Sequence, residues 1–297
     1  MKSKIVLAGG TGFIGNSLRD YFKGKGYEVK IISRQANSIS WSNQSAIIDA
    51  LENSEMLINL AGKSVDCRYN EKNKAEILSS RIGTTKALGE ALLKCKNPPE
   101  LWINSSTATI YRHTEDRPMT EANGEIGTGF SIGIATQWEK CFFDFKLSST
   151  RQVALRMAIV LGNKGGAFIP LQRLVRLGLG GKQGKGAQMF SWIHIDDLKN
   201  IITFIQSHKD MIGVYNCSAP HPVNNITFMA MLRKAMNIPF GLPSPEWLLT
   251  IGAVLIKTET ELILKSRWVL PERLLQKGYT FSFPTLDKAF SDLVNKK

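Results

Sequence analysis

The stretch that decides the fold reads KIVLAGGTGFIG and occupies residues 4–15. Residues 4–8 form an apolar run typical of a buried parallel strand, and Phe13, Leu18 and Phe22 recur at helical spacing behind the glycines. A strand, a glycine turn and a helix start in this order can hold a phosphate through the N–H groups that open the helix. We therefore predict that a dinucleotide binds at this turn.

Each glycine of the turn has a separate task in such a site. Gly9 allows the chain to leave the strand sharply, Gly12 lets the backbone approach a pyrophosphate, and Gly15 lets the helix pack closely on the sheet. Together with Thr11, these glycines are the first predicted cofactor contacts. A tight turn without a ligand would also use glycine, but its position between a strand and a helix favours the dinucleotide.

Composition and charge narrow the class of protein. The chain has 297 residues, of which 43% are hydrophobic and 21% charged, as expected of a soluble globular protein. Its net charge of +13 comes without a nucleic-acid-binding motif, so we predict a small, anionic substrate and no nucleic acid partner. The longest apolar stretch, residues 247–256, is too short to span a bilayer, so no membrane association is expected.

The cysteines and the start of the chain indicate the compartment. The four cysteines have no paired short spacing, so neither a metal site nor a disulfide framework is predicted. The chain enters its first strand almost at once, which leaves no room for a signal peptide. We therefore expect a cytoplasmic protein.

The second strand, residues 28–32, predicts which cofactor binds. Sites for NAD place an acidic residue after this strand to bind the ribose hydroxyls, whereas NADP sites offer arginine to the 2′-phosphate. Here the strand is followed by Ser33 and Arg34, and the next acidic residue is Asp49. We predict NADP (NADPH) as the cofactor, the alternative being that Arg34 is an ordinary surface arginine.

Small and hydroxylated residues follow the next two strands. Residues 56–60 form a buried run that ends in Ala61 and Gly62, which leaves space for a ribose and a pyrophosphate. Residues 101–104 lead into a segment rich in hydroxyl groups, residues 105–111, where a nicotinamide would meet its substrate. A long helix is predicted between the two strands, over residues 73–95.

Several of these segments together resemble a known family. The similar stretches are residues 9–15, 59–62, 105–111, 156–162, 177–181, 191–198, 215–216, 219–220, 270–273 and 283–284. They look like the extended short-chain dehydrogenase/reductases, the NAD-dependent epimerase/dehydratase group. Within that group they resemble the atypical branch of sugar-nucleotide epimerase family proteins, which has its own C-terminal domain.

The resemblance implies a fold and a cofactor site. The fold class would be α/β, a Rossmann-type doubly wound parallel sheet with a smaller, mostly helical C-terminal substrate domain. Residues 1–165 and 191–217 would form the NADP-binding domain, and residues 166–190 and 218–297 the substrate-side domain. The implied cofactor contacts are Gly12, Phe13, Ile14, Ser33, Arg34, Leu60, Ala61, Glu76, Arg81 and Val160.

The catalytic set implied by the resemblance is incomplete. Enzymes of the parent group use a Ser or Thr to orient the substrate and a Tyr-x-x-x-Lys pair for proton transfer. Thr107 takes the Ser/Thr position, but Ser131 and Ala135 stand where the tyrosine and the lysine would be. Tyr111 is a candidate substitute, with structural packing as the alternative role.

Two further features each allow two interpretations. His194, in a strand that leads into a helix, either packs at the helix start or acts in catalysis, and the pattern favours packing. Residues 178–186 contain five glycines and two lysines, and form either a basic loop over the cleft or a surface hairpin.

Two functions are therefore compatible with the sequence. The first is an NADP-dependent oxidoreductase or epimerase that acts by hydride transfer on a nucleotide sugar or another polar carbonyl or hydroxyl compound. The alternative is a catalytically weak or inactive NADP(H)-binding protein that acts as a redox sensor or docks a partner, because the Tyr-x-x-x-Lys pair is missing.

Overall fold

The computed structural model describes residues 3–255, 259 and 261–295. The six strands of the main sheet are β1 (Lys4–Ala8), β2 (Glu28–Ile32), β3 (Met56–Asn59), β4 (Leu101–Thr107), β5 (Arg151–Met157) and β10 (Gly213–Cys217). The shorter strands are β6 (Ile159–Gly162), β7 (Gly165–Gly166), β8 (Met189–Phe190), β9 (Trp192–His194) and β11 (Val223–Asn224).

The helices lie between and after these strands. They are α1 (Phe13–Gly24), α2 (Gln44–Leu51), α3 (Glu71–Leu92), α4 (Phe130–Phe143), α5 (Phe168–Arg176), α6 (Ile195–Ser207), α7 (Asn225–Ala235), α8 (Glu246–Leu255), α9 (Glu261–Leu264), α10 (Glu272–Gln276) and α11 (Leu286–Asn295). A short 3₁₀ turn, Ala108–Ile110, follows β4.

The main sheet is parallel throughout and has the strand order β10-β5-β4-β3-β1-β2. The chain therefore moves outward from β1 in one direction and then returns to build the other half, as in a doubly wound fold. The carboxyl ends of β1, β3 and β4 lie side by side at one edge, which brings the glycine turn next to Ala61 and Ser105. The α/β fold class predicted from the sequence is confirmed.

Alternation along the strands explains why helices cover both faces of the sheet. Ile5 and Leu7 of β1 belong to a core cluster with residues of α1 and α6, whereas Val6 and Ala8 belong to a cluster with residues of α2, α3 and α4. All four side chains are 0% exposed. A strand buried on both faces must be apolar at every position, as the sequence of β1 is.

A third cluster lies between the small sheets and the C-terminal helices. Its large side chains include Phe168 of α5, Trp192 of β9, Phe228 of α7 and Phe290 of α11. The carboxylate of Asp197, near the start of α6, accepts hydrogen bonds from the backbone N–H groups of Ser282 (2.8 Å) and Phe283 (2.9 Å). The last helix is therefore tied to the sheet domain by both apolar packing and hydrogen bonds.

The bounds of three predicted elements differ from those observed. Strand β4 continues to Thr107, so the hydroxyl-bearing residues 105–107 belong to the strand itself. Helix α3 begins earlier, because the side chain of Asn70 caps it by accepting a hydrogen bond from the N–H of Asn73 at 2.8 Å. Helix α4, which the sequence predicts over residues 134–147, also begins earlier, at Phe130, because Gly129 adopts a φ of 110° and turns the chain into the helix.

None of the helices in the described parts of the chain combines the length and the apolar character needed to cross a lipid bilayer.

Candidate active site

The glycine turn is as tight as the sequence predicts. Gly9 has a φ of 75°, and a Cβ placed on it would lie 2.6 Å from the backbone nitrogen of Ala61. A Cβ on Gly15 would lie 2.5 Å from the backbone of Gly10. Both positions therefore require glycine on steric grounds, and the turn is held against the loop that follows β3.

Gly12 differs from these two glycines because it faces open space. A Cβ placed there would meet nothing within 4 Å, and the backbone has an extended conformation that any residue adopts. Gly12 also opens α1, which has no side-chain cap and no acidic residue in its first turn. An open glycine beside uncapped N–H groups fits a pyrophosphate, because the ligand needs both the space and the hydrogen-bond donors.

The neighbours of the turn follow the predicted arrangement in part. The backbone carbonyl of Thr11 accepts a hydrogen bond from Asn16 Nδ2 at 3.1 Å, so Thr11 belongs to the turn. The ring of Phe13 packs against Gly162, the last residue of β6. A Cβ placed on Gly162 would lie only 2.5 Å from that ring. Ile14 and Val160 contribute to the first core cluster next to that ring.

Ser33 and Arg34 lie at the far side of the turn, after β2. The Ser33 hydroxyl is buried and lies 2.7 Å from Ser38 Oγ, whereas Arg34 is exposed. The charge of Arg34 is among those that lower the pKa of Glu76 on α3, after the larger contribution of Lys63, which forms an ion pair with it. Arg34 and Glu76 are therefore close enough for their charges to interact.

Arg81 of α3 has a structural position in the wall of the cleft. Its guanidinium lies 5.1 Å from the centroid of the Trp138 ring and donates to the backbone carbonyls of Lys63 and Ile77, each at 3.0 Å. Burial lowers the pKa of Arg81 to about 10. Glu76 and Arg81 both contact Lys63, the former through its ammonium and the latter through its carbonyl. A role for Lys63 was missed by the sequence reasoning.

A cavity of about 310 Å³ opens at the carboxyl ends of β3 and β4. Its wall combines predicted cofactor contacts with hydroxyl-bearing residues. The lining residues are Leu60, Ala61, Gly62, Lys63, Ser64, Val65, Tyr69, Arg81, Ser105, Ser106, Thr107, Thr109, Ser131, Ile134, Ala135 and Trp138. This cavity is where the predicted fold places the meeting point of nicotinamide and substrate.

Three positions that the sequence singled out for catalysis lie in this wall. Thr107 ends β4, and its Oγ1 accepts a hydrogen bond from the N–H of Thr109 at 3.1 Å. Ser131 and Ala135 are both on α4, one turn apart, and Ser131 Oγ donates to Glu261 Oε2 at 3.2 Å. The side of α4 that faces the cavity therefore carries a serine and an alanine in the predicted positions.

Tyr111 does not line the cavity. It is 2% exposed, and its hydroxyl donates to Asn216 Oδ1 at 2.8 Å and accepts from Arg156 Nη1 at 2.9 Å. These contacts support the packing role rather than the catalytic one, because the hydroxyl is held inside the protein by two partners. The prediction of Tyr111 as a catalytic substitute is not supported by this placement.

Arg156 and Glu139 form a buried ion pair behind the cavity. Arg156 Nη2 lies 2.7 Å from Glu139 Oε2, and the two side chains are 11% and 10% exposed. Burial alone would lower the pKa of Arg156, but the carboxylate of Glu139 outweighs it and raises that pKa. The same carboxylate accepts a hydrogen bond from Ser106, so the pair fixes a lining residue of the cavity. The sequence reasoning did not identify this pair.

Beneath the polar edge of the sheet, a second buried network holds β3 and β4 in register. Asn59 Nδ2 donates to Asn104 Oδ1 at 2.7 Å and to Thr85 Oγ1 at 3.2 Å, and Asn59 Oδ1 accepts from the N–H of Ala61 at 3.0 Å. Ala61 is thereby fixed against Gly9.

His194 packs at a helix start, as the sequence favours. Its Nδ1 accepts from the N–H of Asp196 at 3.1 Å, and its Nε2 lies 3.3 Å from Asp292 Oδ2 of α11. The ligand-type atoms of these three residues lie within 4.8 Å of one another. His194 therefore caps α6, and Lys199 forms an ion pair with Asp196.

The glycine-rich stretch, residues 178–186, is attached to the segment that follows α7. The N–H of Gly181 donates to the carbonyl of Leu242 at 3.0 Å, and the N–H of Gly184 donates to the carbonyl of Ser244 at 2.8 Å. Neither of its lysines lines the cavity described above. The stretch is therefore bound to a distant segment of the chain, and its lysines lie outside the lining of the cavity.

Two basic residues after α9 reach the cavity from the C-terminal part of the chain. Lys265 Nζ donates to the carbonyl of Thr109 at 2.8 Å, and Arg267 Nε donates to Thr109 Oγ1 at 3.0 Å. Burial, aided by Arg267, lowers the pKa of Lys265 to about 8. The sequence carries no local signal for these contacts, because Lys265 and Arg267 lie 156 and 158 residues after Thr109.

Tyr69 is the remaining lining residue that sequence reasoning missed. It lies in the irregular segment between β3 and α3, is half-buried, and packs edge-on against Phe130 with ring centroids 5.0 Å apart. Its hydroxyl has the side chain of Ser131 as a hydrogen-bond partner, and burial raises its pKa. An irregular segment has no periodicity from which this position could be predicted.

Comparison with protein families gives two matches. Residues 5–130 match the NAD dependent epimerase/dehydratase family, and residues 244–293 match a domain of unknown function (DUF1731). The first match contains the glycine turn, Tyr69 and Thr107. The second contains Lys265 and Arg267, so the cavity is lined or bordered by residues from both matched regions.

Individual relatives cover nearly the whole chain. The mouse epimerase family protein SDR39U1 is 34% identical over 297 residues, which is 98% of this chain and 99% of that protein. The crystal structure of human SDR39U1 (isoform 2) with NADPH has a TM-score of 0.90 and 32% identity, covering 99% of this chain and 100% of that one. A nucleoside-diphosphate sugar epimerase from Corynebacterium glutamicum has a TM-score of 0.79 and 26% identity, covering 99% of this chain and 58% of that one.

Proposed function

We propose that this chain, which belongs to the same epimerase family as SDR39U1, is an NADP(H)-dependent oxidoreductase that acts on a carbonyl or hydroxyl group of a polar, anionic substrate. The single observation that carries the proposal is the open Gly12 at the uncapped start of α1, beside a polar cavity. The human relative crystallised with NADPH supports the choice of cofactor.

Different residues would bind the cofactor and orient the substrate. The N–H groups that open α1 would hold the pyrophosphate, and exposed Arg34 would bind the 2′-phosphate of the adenosine ribose. When bound, the nicotinamide supplies or accepts a hydride. Thr107 would orient the substrate through its hydroxyl, because it ends β4 in the wall of the cavity.

The substrate class follows from the charges around the cavity. Lys63 and Arg81 line it, and Lys265 and Arg267 bind the backbone and side chain of the lining residue Thr109. Four cations at one cavity favour a substrate with phosphate or carboxylate groups. The relative from Corynebacterium glutamicum, named a nucleoside-diphosphate sugar epimerase, supports nucleotide sugars as the first compounds to test.

A second candidate function rests on Ser131 and Ala135. These residues stand on α4 where the resemblance places the tyrosine and lysine of catalysis, and neither can transfer a proton in their stead. An NADP(H)-binding protein that senses redox state or docks a partner would need the cofactor end of the cleft and no such pair.

The test is a turnover assay with purified protein. Oxidation of NADPH would be followed by its absorbance with a panel of nucleoside-diphosphate keto sugars and small carbonyl compounds, and the reverse reaction with NADP and the alcohols. We expect turnover with at least one anionic compound. Binding of NADPH without turnover of any compound would contradict the oxidoreductase and support the sensor.

Thr107→Ala tests whether any observed turnover occurs in this cavity. We expect a loss of about 10²-fold or more in kcat with unchanged NADPH affinity, because the hydroxyl contacts the substrate and not the nucleotide. Thr136→Ala is the matched control, since the Thr136 hydroxyl donates to the carbonyl of Ile132, one turn back on α4, and lies outside the cavity lining. Equal kcat in the two variants would place the reaction elsewhere.

A further inference from the structure

We infer that Tyr69 supplies the hydroxyl that transfers a proton to or from the substrate, in place of the tyrosine that α4 lacks. The inference rests on the proposed function and names a residue that the resemblance does not indicate. Tyr69 lies in the segment between β3 and α3, and it lines the same cavity as the hydroxyl-bearing residues of β4.

The position of the phenol is the first argument. Tyr69 lines the cavity, and the side chain of Ser131 is a hydrogen-bond partner of its hydroxyl. Ser131 stands where the resemblance places the catalytic tyrosine of the parent group. A phenol from another segment therefore reaches the place that the small serine side chain leaves open.

The anchoring of Tyr69 is the second argument. Its ring packs edge-on against Phe130, the first residue of α4, and its backbone N–H donates to Glu259 Oε1 at 2.7 Å. These contacts hold the residue from two sides, one of them the C-terminal part of the chain. A proton-transfer group needs such a fixed position, because small displacements cost much of the rate.

The charges around the phenol are the third argument. Arg81 lines the same cavity as Tyr69, and Arg267 donates to Thr109 in its wall. In the parent group a lysine next to the tyrosine stabilises the phenolate that forms when the proton leaves. A guanidinium charge at this cavity would favour a phenolate in the same way, although α4 carries Ala135 instead of that lysine.

The direction of proton transfer follows from the state of the free protein. Burial is the largest influence on Tyr69 and raises its pKa, with smaller contributions from Glu261 and Glu259. The hydroxyl is therefore protonated at neutral pH and ready to donate. This state suits reduction of a carbonyl compound by NADPH.

The step balances as a two-electron reduction. The carbonyl carbon of the substrate receives a hydride from NADPH, the π-electron pair of the C=O bond moves to oxygen, and Tyr69 Oη gives that oxygen its proton. The products are the alcohol and NADP⁺. The phenolate then recovers a proton from solvent.

Tyr69→Phe tests the inference on the substrate that the assay above identifies. We expect kcat to fall by about 10²–10⁴-fold, the usual contribution of a general acid, while KM and NADPH affinity stay within about twofold. Tyr27→Phe is the matched control, because the Tyr27 hydroxyl contacts Gln206 at 3.4 Å at the opposite, amino-terminal edge of the sheet. A Tyr69→Phe enzyme with the kcat of the unmodified protein would overturn the inference and leave the proposed function intact.

A second measurement reports on the phenol without turnover. Protein labelled with 3-fluorotyrosine would be titrated with NADP⁺, and the ¹⁹F resonance of Tyr69, assigned by its loss in Tyr69→Phe, should shift while that of Tyr27 stays in place. An unmoved Tyr69 resonance overturns the inference whatever the activity. If the resonance shifts but the unmodified protein turns over no compound, the proposed function fails, and the catalytic assignment of Tyr69 with it.

Discussion

The two ends of the proposed cleft differ in the kinds of residues that form them. The proposed cofactor end consists mainly of residues 9–15 and Ala61, most of which are glycine or small, with Arg34 at its far side. The cavity proposed to take the substrate is lined by Tyr69, Thr107 and Ser131 and bordered by Lys265. The first comes from one short stretch and the strand beside it, whereas the second is assembled from four separate segments. The comparison indicates that steric contacts allow few residue types at the cofactor end. At the substrate end, side chains from several separate segments can provide the same chemical groups.

The largest expected effect concerns the charge buried behind the substrate end. Glu139→Gln should lower the free energy of unfolding by about 3–5 kcal/mol, because Arg156 would keep its buried charge without a carboxylate. The measurement is urea denaturation at neutral pH.

Lys140→Gln, on the next residue of the same helix, is the control for that change. Lys140 pairs with Asp144 at the surface, where the two side chains are 72% and 61% exposed, so its loss should cost no more than about 1 kcal/mol. Equal losses of unfolding free energy in the two variants would show that the buried ion pair does not stabilise the substrate end.

Two glycine substitutions test whether the cofactor end separates folding from binding. Gly15→Ala should destabilise the protein by about 1–3 kcal/mol, because its Cβ would lie 2.5 Å from the backbone of Gly10. Gly12→Ala should change stability by less than about 1 kcal/mol but weaken NADPH binding at least about tenfold, a loss of about 1.4 kcal/mol, since its methyl group enters open space that the pyrophosphate needs. Calorimetric titration and thermal unfolding measure both quantities. NADPH binding by Gly12→Ala at full affinity would contradict the predicted path of the cofactor.

Arg34→Ala sharpens the description of the cofactor end. The variant should lose about 1–3 kcal/mol of NADPH binding free energy, as expected of one charge-assisted hydrogen bond, and no NADH binding free energy. Equal affinities of the unmodified protein for the two nucleotides would show that Arg34 does not select the cofactor.

The smallest effect concerns Lys265 and the dependence of stability on pH. Its pKa of about 8 in the folded protein lies below the ordinary 10.5, so between these values the unfolded chain binds more protons. Stability should therefore rise with pH across this window, and the rise should be smaller in Lys265→Met, by less than about 1 kcal/mol because solvent screens a half-buried amine. The difference between the two proteins isolates the contribution of Lys265 from those of the other groups. Identical pH profiles would show that Lys265 is solvated.

Much of the fold could be predicted from the sequence because its signals are local. The apolar runs of β1 and β2, the glycine turn and the hydroxyls after residue 104 each lie within a few residues of one another. Their meeting at one edge follows from parallel strand pairing, which needs no knowledge of side-chain packing. The sequence alone therefore predicts that Gly12 leaves space for a ligand, and that Ser131 and Ala135 stand in place of the catalytic tyrosine and lysine.

The rest depends on contacts between distant segments. Nothing in the sequence around Tyr69 indicates that its ring packs on Phe130, and nothing around Lys265 indicates its contact with Thr109. Tyr111 was a candidate because it follows Thr107 by four residues along the chain. The 3₁₀ turn after β4 carries it into the core instead, where Asn216 and Arg156 bind its hydroxyl.

The attachment of α11 has a consequence for how this protein is made. Phe290 covers Phe168 and Phe228, and Asp197 binds the N–H groups of Ser282 and Phe283, so the last residues close an interior that begins far upstream. A ribosome releases the amino-terminal half first, and its domains tend to fold as they emerge. Here the apolar interior around Phe168 and Phe228 cannot be complete until the segment that carries Phe290 has been made.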